Sequence, residues 1–513
     1  ITLDWETLAR INVRAPQLPG IQTGIRRHRV YAGGKDLGHL LGYVGRVSKH
    51  RIGDDPALRL PAMKVGRSGV EGGLDERLRG TGGSVKHEIN ARGQIVRKLD
   101  HIPAVGGEDV TLSIDSALQA RTMKHVAGYG QASAVALDVR TGEILAMASA
   151  PSYDPSWIVG GITQADWNAL ENEPDKPLTN RAIRGQYPPG STFKMVTALA
   201  ALDAGVITPD EKLRCRGSYE FSGHRFGCWK RSGHGRMTLH KAIRESCDVY
   251  FYQLAERVGI EKLARTARKL GFGETFGTGL AGEKEGIVPD PAWKLFTFEK
   301  PWLGGETLLA GIGQGYVLAT PLQLAVMTAR LATGRKIDPT IEKVTRRGVA
   351  PEVSTLGFEQ AWLRDIRKAM TAVVNQGGGT GSTARINWSG IQLAGKTGTS
   401  QVSRASRTRR NRDLAFRLRD HSLFVAFAPV DKPRYAVATV VEHGGGGSEA
   451  AAPLARKIMM DLLKRGEGDT VVAANEGTET IDGARAKKRN SRRKNRRARR
   501  RRKPPITRLF TSQ

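Results

Sequence analysis

The 513-residue sequence predicts an α+β protein: a central antiparallel sheet flanked by helices, preceded by an irregular, mostly-β domain. Three observations predict it. Residues 134–138 and 143–148 are apolar runs on either side of Arg140-Thr141-Gly142, the pattern of a β-hairpin. Residues 421–428 and 435–441 form a second strand pair far down the chain, and the long stretch between is largely helical in pattern. Strands from both ends then meet in one sheet with the helical middle packed on it. Before this domain the chain is rich in Gly, Arg and short polar segments, without long helical periodicity.

Taken in order, the chain divides at 107 and 465. Residues 1–107 read as a pedestal or linker, 108–465 as the main domain opened by a helix from about Ser116 to Ala127, and 466–513 as a tail. Within the tail, Arg485 to Lys503 is almost continuous Arg and Lys. Such a run repels itself, buries nothing and is expected to be disordered. It holds roughly half of the net charge of +31, so much of that charge is a tail and not a patch on a fold. The hydrophobic fraction of 39% is ordinary for a globular chain of this length. The chain starts at Ile1, with no signal peptide and no apolar run long enough to cross a bilayer, the pattern of a trimmed ectodomain. Three cysteines are an odd count, which argues against a disulfide framework. The stretch Arg404 to Arg419 is strongly basic and reads as a solvated excursion between two strands.

The chemistry centres on Tyr187-Pro188-Pro189-Gly190-Ser191-Thr192-Phe193-Lys194. Two prolines and a glycine end the preceding element, and the Ala/Leu/Met-rich run after them predicts a helix beginning near Ser191. Residues three apart share a helix face, so the Lys194 amine can reach the Ser191 hydroxyl. Lysine serves as a base for serine only where desolvation or nearby positive charge lowers its pKa, and the apolar helix supplies such a setting. Two further motifs come later in the chain. Ser246-Cys247-Asp248 precedes the apolar helix-like run 249–254, and Lys396-Thr397-Gly398-Thr399 comes after the short strand pattern 391–395, whose glycines allow close approach.

Ser-x-x-Lys, Ser-x-Asp and Lys-Thr-Gly in that order resemble the penicillin-binding protein and serine β-lactamase superfamily. Gly66-Arg67-Ser68-Gly69-Val70-Glu71 and the segment 106–115 are similar to the pedestal and domain entry of class B penicillin-binding proteins. Asp248, Cys228-Trp229-Lys230 and Gly233-His234-Gly235 resemble the elongation-type penicillin-binding protein 2 more than the division type. Gly311 to Tyr316, with Thr320-Pro321, also resembles transpeptidase domains, in a packing role. The resemblance runs from about Val65 to about Met460.

It implies a peptidoglycan D,D-transpeptidase, inhibited covalently by β-lactams, in cell-wall elongation and cell shape. Ser191 would attack the penultimate D-Ala carbonyl of a stem peptide, with Lys194 taking its proton. Ser246 would relay a proton toward the leaving amine, Asp248 would position Lys194 or substrate, and Lys396 would add positive potential. Thr397, Gly398 and Thr399 would bind substrate, and the Ser191 and Thr399 amides would form the oxyanion hole. The resemblance also implies an inner-membrane anchor, a periplasmic catalytic domain and a membrane glycosyltransferase partner of the shape, elongation and division type. In that setting the tail favours an anionic lipid or envelope polymer over nucleic acid. A serine β-lactamase or D,D-carboxypeptidase shares the acylation step, and a β-lactam-binding receptor or scaffold shares the recognition. The pedestal favours the cross-linking class.

Cys215, Cys228, His234 and Cys247 use every cysteine and one histidine, a set known for closed zinc sites. The wide spacings fit equally three buried thiols, or a Cys215–Cys228 disulfide with Cys247 free. Relatives of penicillin-binding protein 2 with similar ligands imply structural zinc, with His224 and His240 in reserve.

Overall fold

The computed structural model describes residues 3–18, 21, 29–48, 52, 56–60, 63–344, 354–388, 390–403 and 411–477. The chain separates into two units, Ile1–Ile458 and Met459–Gln513; of the second, residues 459–477 are described and are helical. The basic run 485–503 and residues 404–410 of the expected excursion lie outside the described residues. Among the described residues no helix is long and apolar enough to cross a membrane.

The first hundred residues carry two antiparallel strand pairs. β1 (Val44–Arg46) pairs with β2 (Lys64–Gly66), and β3 (Ser84–Ile89) with β4 (Ile95–Ile102). Short helices accompany them, at Trp5–Arg14, Gly69–Gly73 and Asp75–Arg79. Every residue of β3 and β4 is exposed, so this ribbon has no core of its own. Arg77 ties the region to the larger domain, its guanidinium donating to Glu108 (2.9 Å) and Glu342 (2.7 Å).

The helix Ser116–Ala127 opens that domain; the Asp115 carboxylate accepts from the Leu118 N–H at 2.9 Å, as an N-cap should. β5 (Ala132–Asp138) and β6 (Ile144–Ala150) come next as the expected hairpin. Gly142, at φ +80°, turns it, because a side chain there would strain the left-handed backbone and meet the Asp338 carbonyl. Four short strands form two small ladders: β7 (Leu213–Cys215) with β10 (Gly235–Met237), and β8 (Ser218–Phe221) with β9 (His224–Gly227). β11 (Ala394–Ser400), β12 (His421–Ala428) and β13 (Tyr435–Val441) complete the main sheet in the order β11-β12-β13-β5-β6, antiparallel throughout. First and last strands of the domain thus meet at β13 and β5, as the sequence predicts.

β5, β6 and β13 are buried at every position, and β12 at all but its first. Helices cover both faces, which is why these strands are continuous Ala, Val, Leu and Phe runs without polar alternation. Phe424 and Phe427 are fully buried, and truncating one to Ala is expected to cost about 3–5 kcal/mol. β11 carries Gly and Thr in place of large apolar residues; it is held by pairing and close approach, and it is the edge strand beside the site.

Candidate active site

Ser191 lies in a 3-10 turn, Gly190–Phe193, that leads into the helix Lys194–Asp203. The helix therefore starts three residues later than the pattern predicts. The reason is packing: Gly190 sits at φ +54° against β11, where a Cβ would fall 2.4 Å from the Thr399 carbonyl oxygen. Gly398 answers from the strand side, a Cβ there meeting Thr192 Cγ2 at 2.8 Å. The Gly190 N–H donates to the Gly313 carbonyl (2.8 Å), and Tyr187 bridges Ala319 through both backbone groups at 2.9 Å. The stretch 311–316 thus packs as expected. It also does more, since Gln314 Nε2 donates to the Thr399 carbonyl at 2.9 Å.

Lys194, Ser246, Asp248 and Lys396 converge beside this turn. Lys194 is fully buried, and its ammonium donates to Asp248 Oδ1 (2.7 Å), the Ser246 carbonyl (2.9 Å) and Ser246 Oγ (3.2 Å). Lys396, equally buried on β11, donates to the same Ser246 Oγ at 2.8 Å and to the Thr397 carbonyl at 3.1 Å. Both amines therefore share one hydroxyl. Among the described residues the expected Lys194–Ser191 hydrogen bond is not formed; the amine turns to the Asp248 carboxylate and the Ser246 hydroxyl. Ser191 and Thr399 are half-exposed, while Lys194, Lys396, Thr397, Gly398 and Ser246 are buried, so the surface of the site presents the nucleophile and one strand amide.

Two buried amines compete for one carboxylate, and the loser is Lys396. Burial, reinforced by the nearby Lys194 charge and opposed by Asp248, drives its pKa well below the ordinary lysine value. Ser246 holds its place between them in a left-handed conformation, φ +56°, unusual for a residue with a side chain. Such a conformation persists only where its surroundings over-determine it. Asp248 is held from its other side by the Trp229 backbone N–H at 2.9 Å, and Trp229 Nε1 donates to the Glu245 and Ser246 carbonyls.

Sequence motifs did not assign roles to Gln314, Trp229 or Thr380. The Thr380 and Thr397 hydroxyls share a hydrogen bond at 2.8 Å. Thr399 is on the edge strand, and since N–H and C=O of one strand residue point the same way, its amide faces the edge where Gln314 meets its carbonyl.

Cys215, Cys228, His234 and Cys247 come together, their ligand atoms all within 4.8 Å of one another and all four residues buried. The β7/β10 ladder sets Cys215 opposite Gly235, which brings His234 alongside; Cys228 comes directly after β9, and Cys247 caps the helix Asp248–Val258. His234 Nδ1 lies 3.6 Å from Cys215 Sγ and 3.5 Å from Cys228 Sγ. All three cysteines are free thiols, so the Cys215–Cys228 disulfide is not formed. The hydrogen bond between Cys228 and Cys247 pulls the Cys228 thiol down and pushes Cys247 up. Three soft sulfurs and one imidazole in a closed, buried cluster suit a tetrahedral zinc ion. His224 is exposed, its Nδ1 on the Ser222 carbonyl, and His240 lines a separate cavity, so neither reserve ligand joins the set.

The penicillin binding protein transpeptidase domain model matches residues 132–460, and the penicillin-binding protein dimerisation domain model matches 2–112. A curated relative, peptidoglycan D,D-transpeptidase MrdA of Acinetobacter baumannii, is 37% identical over 88% of this chain and 69% of its own length. Among solved structures, the penicillin-binding protein PBP2 of Helicobacter pylori in complex with MreC is similar with a TM-score of 0.79 and 34% identity, covering 91% of this chain and 84% of that one. A peptidoglycan synthase complex described as coordinating polymerization and crosslinking is similar with a TM-score of 0.71 and 31% identity, covering 89% and 79%.

Proposed function

The chain belongs to the penicillin-binding proteins and is a serine-type peptidoglycan D,D-transpeptidase of cell-wall elongation; from this premise we propose how its residues divide the reaction. Ser191 Oγ attacks the penultimate D-Ala carbonyl of a donor stem peptide and gives its proton to Lys194, which can accept it once its own proton has passed through Ser246 Oγ to the Lys396 amine. Charge on the carbonyl oxygen is met by the Ser191 and Thr399 amides, while Thr397 and Thr399 hydroxyls hold the terminal carboxylate. Ser246 passes a proton to the departing D-alanine amine and is resupplied by the amine beside it. The amine of a second stem then attacks the acyl-enzyme, freeing Ser191 and forming the cross-link. β-Lactams stop at the acyl stage.

The observation that carries this reading is the Ser246 hydroxyl within 3.2 Å of Lys194 and 2.8 Å of Lys396, beside the Ser191 turn. Fluorescent penicillin tests it. Stable covalent label on the wild-type chain and none on Ser191→Ala is the expected result; rapid loss of label from wild type would turn the reading to a β-lactamase.

Cys215, Cys228, His234 and Cys247 are proposed to hold a structural zinc ion. Ser246 and Asp248 flank Cys247, and Trp229, next to Cys228, donates to Asp248, so a metal here would fix the turn that carries the relay. When bound, zinc supplies rigidity and no reacting group. About one equivalent of zinc in protein purified without chelator is expected, with the three thiols protected until metal is stripped.

The same reading sets the catalytic domain in the periplasm at the inner membrane, with a glycosyltransferase of the shape, elongation and division type as partner. The MreC complex of the Helicobacter pylori relative and the peptidoglycan synthase neighbour support partners of this kind. Cross-linking of nascent glycan only when that glycosyltransferase is added would be the expected signature.

A further inference from the structure

A cavity of about 660 Å³ opens at the far end of the sheet from the Ser191 turn. It is lined by His240, by Arg364, Arg367, Lys368 and Thr371 of the helix Gln360–Asn375, and by Asp431 in the β12–β13 turn. Gln392 also lines it, just before β11, which runs on to Lys396 and Thr399. The acyl-transfer chemistry uses none of these groups.

The charges around this cavity are mostly of one sign. Arg364 and Lys368 stand four apart on one helix, where like charges repel, and Arg367 lies between them. Three cations line the cavity with one carboxylate, Asp431, while a second, Asp365, acts on His240 from the same helix, and no ion pair engages Arg364, Arg367, Lys368 or Asp431 among the described residues. The Arg367 guanidinium is half-buried, and only its Nη1 is engaged, donating to the Leu331 and Ala332 carbonyls at 3.4 and 3.1 Å. Burial and the neighbouring Arg364 lower its pKa from the ordinary value, the signature of a cation without a counter-charge. Arg364 and Lys368 are exposed and Arg367 is partly buried. Here they border one concavity, together with the neutral donors Thr371, Gln376 and Gln392.

We propose that this cavity is a binding site for a multiply charged phosphate group, held by Arg364, Arg367 and Lys368. A guanidinium fork pairs two phosphate oxygens at once, and three cations outnumber the two carboxylates near them. The volume suits a group the size of pyrophosphate with part of its carrier. The carrier can be a soluble phosphate ester or a lipid headgroup, and these can be told apart.

Titration calorimetry of the full chain with inorganic pyrophosphate is the test. Arg364→Gln/Lys368→Gln alters two exposed side chains, so its fold should be intact, which unchanged fluorescent-penicillin labelling at Ser191 would verify. Wild type is expected to bind, and the double variant to bind roughly thirtyfold more weakly, the worth of one charge-assisted hydrogen bond. Equal affinity in both, or no binding by wild type, would overturn the site; equal affinity would assign the interaction to the basic segment 485–503. Vesicles of phosphatidylglycerol and phosphatidylcholine then separate the sources. If pyrophosphate displaces wild type from vesicles and the double variant binds them weakly, the carrier is a lipid; if the variant loses pyrophosphate binding alone, it is soluble.

Discussion

Two buried clusters meet at Ser246-Cys247-Asp248, and they are built on opposite chemistry. Ser246 and Asp248 face two lysine amines, while Cys247, between them, faces two further thiols and an imidazole. The first cluster has more positive charge than its carboxylate can balance, and Lys396 responds with a depressed pKa. The second has soft donors gathered as if around one ion. The difference teaches how a reactive centre is kept in place: the groups that must move protons are under strain, and the neighbouring cluster can hold the shared turn rigid.

The largest way to break the first cluster is Lys194→Ala. It removes the proposed base and leaves Asp248 without its ion-pair partner, so acylation by fluorescent penicillin should fall by roughly 10³-fold or more in a stopped reaction. A loss of under tenfold would move the base role to Lys396.

Lys396→Met separates function from stability within that cluster. Acylation should drop by roughly 10²-fold as the amine hydrogen-bonded to Ser246 disappears. Stability should move the other way. Lys396 has a folded pKa below its unfolded value near 10.5, so between those values the unfolded chain binds more protons and wild-type stability rises with pH. Its penalty is fully present below the folded pKa and gone above 10.5. The methionine variant should melt higher than wild type near neutrality, with the gap closing as pH rises; a gap independent of pH would contradict the buried-amine account.

The second cluster is broken by Cys247→Ser. Loss of the proposed ligand there should lower zinc content and melting temperature together, and slow acylation by roughly 10- to 100-fold through the adjacent Ser246 and Asp248. Chelation of wild type should produce the same slowing, and zinc should reverse it. Full activity after the metal is stripped would show the clusters to be independent.

How far each cluster could be read from sequence differs for physical reasons. The sheet is legible at both ends because short apolar runs mark strands locally, the first pair set off by the turn at Arg140-Thr141-Gly142, and residues 421–428 and 435–441 fall as expected. Ser191, Lys194, Ser246, Asp248 and Lys396 were legible as residue types in chain order. β11 starts three residues later than the 391–395 pattern predicts: Lys396-Thr397-Gly398-Thr399 is itself strand, because pairing with β12 overrides the weak preference of Gly and Thr-Gly sequences. The left-handed Ser246 and the Gln314 contact to Thr399 left no local signal, since both are imposed by groups distant in the chain. The thiol cluster lacked a short knuckle for the same reason: the β7/β10 ladder, not spacing, brings Cys215 beside His234.

Thr380 offers the finest probe, because it touches the first cluster only through Thr397. Its hydroxyl lies 2.8 Å from that of Thr397, a residue 7% exposed, so it fixes which way the Thr397 hydroxyl points. Thr380→Val keeps the shape and removes the hydrogen bond, worth about 1 kcal/mol. Acylation by penicillin, whose carboxylate is held by the Thr397 and Thr399 hydroxyls in the proposed mechanism, should fall by roughly fivefold. The loss should appear in the apparent binding constant and not in the limiting rate, since positioning a carboxylate stabilises ground and transition states alike. Thr380→Ser should restore it. A fall confined to the limiting rate would instead tie Thr380 to the proton relay around Lys396, whose amine donates to the Thr397 carbonyl.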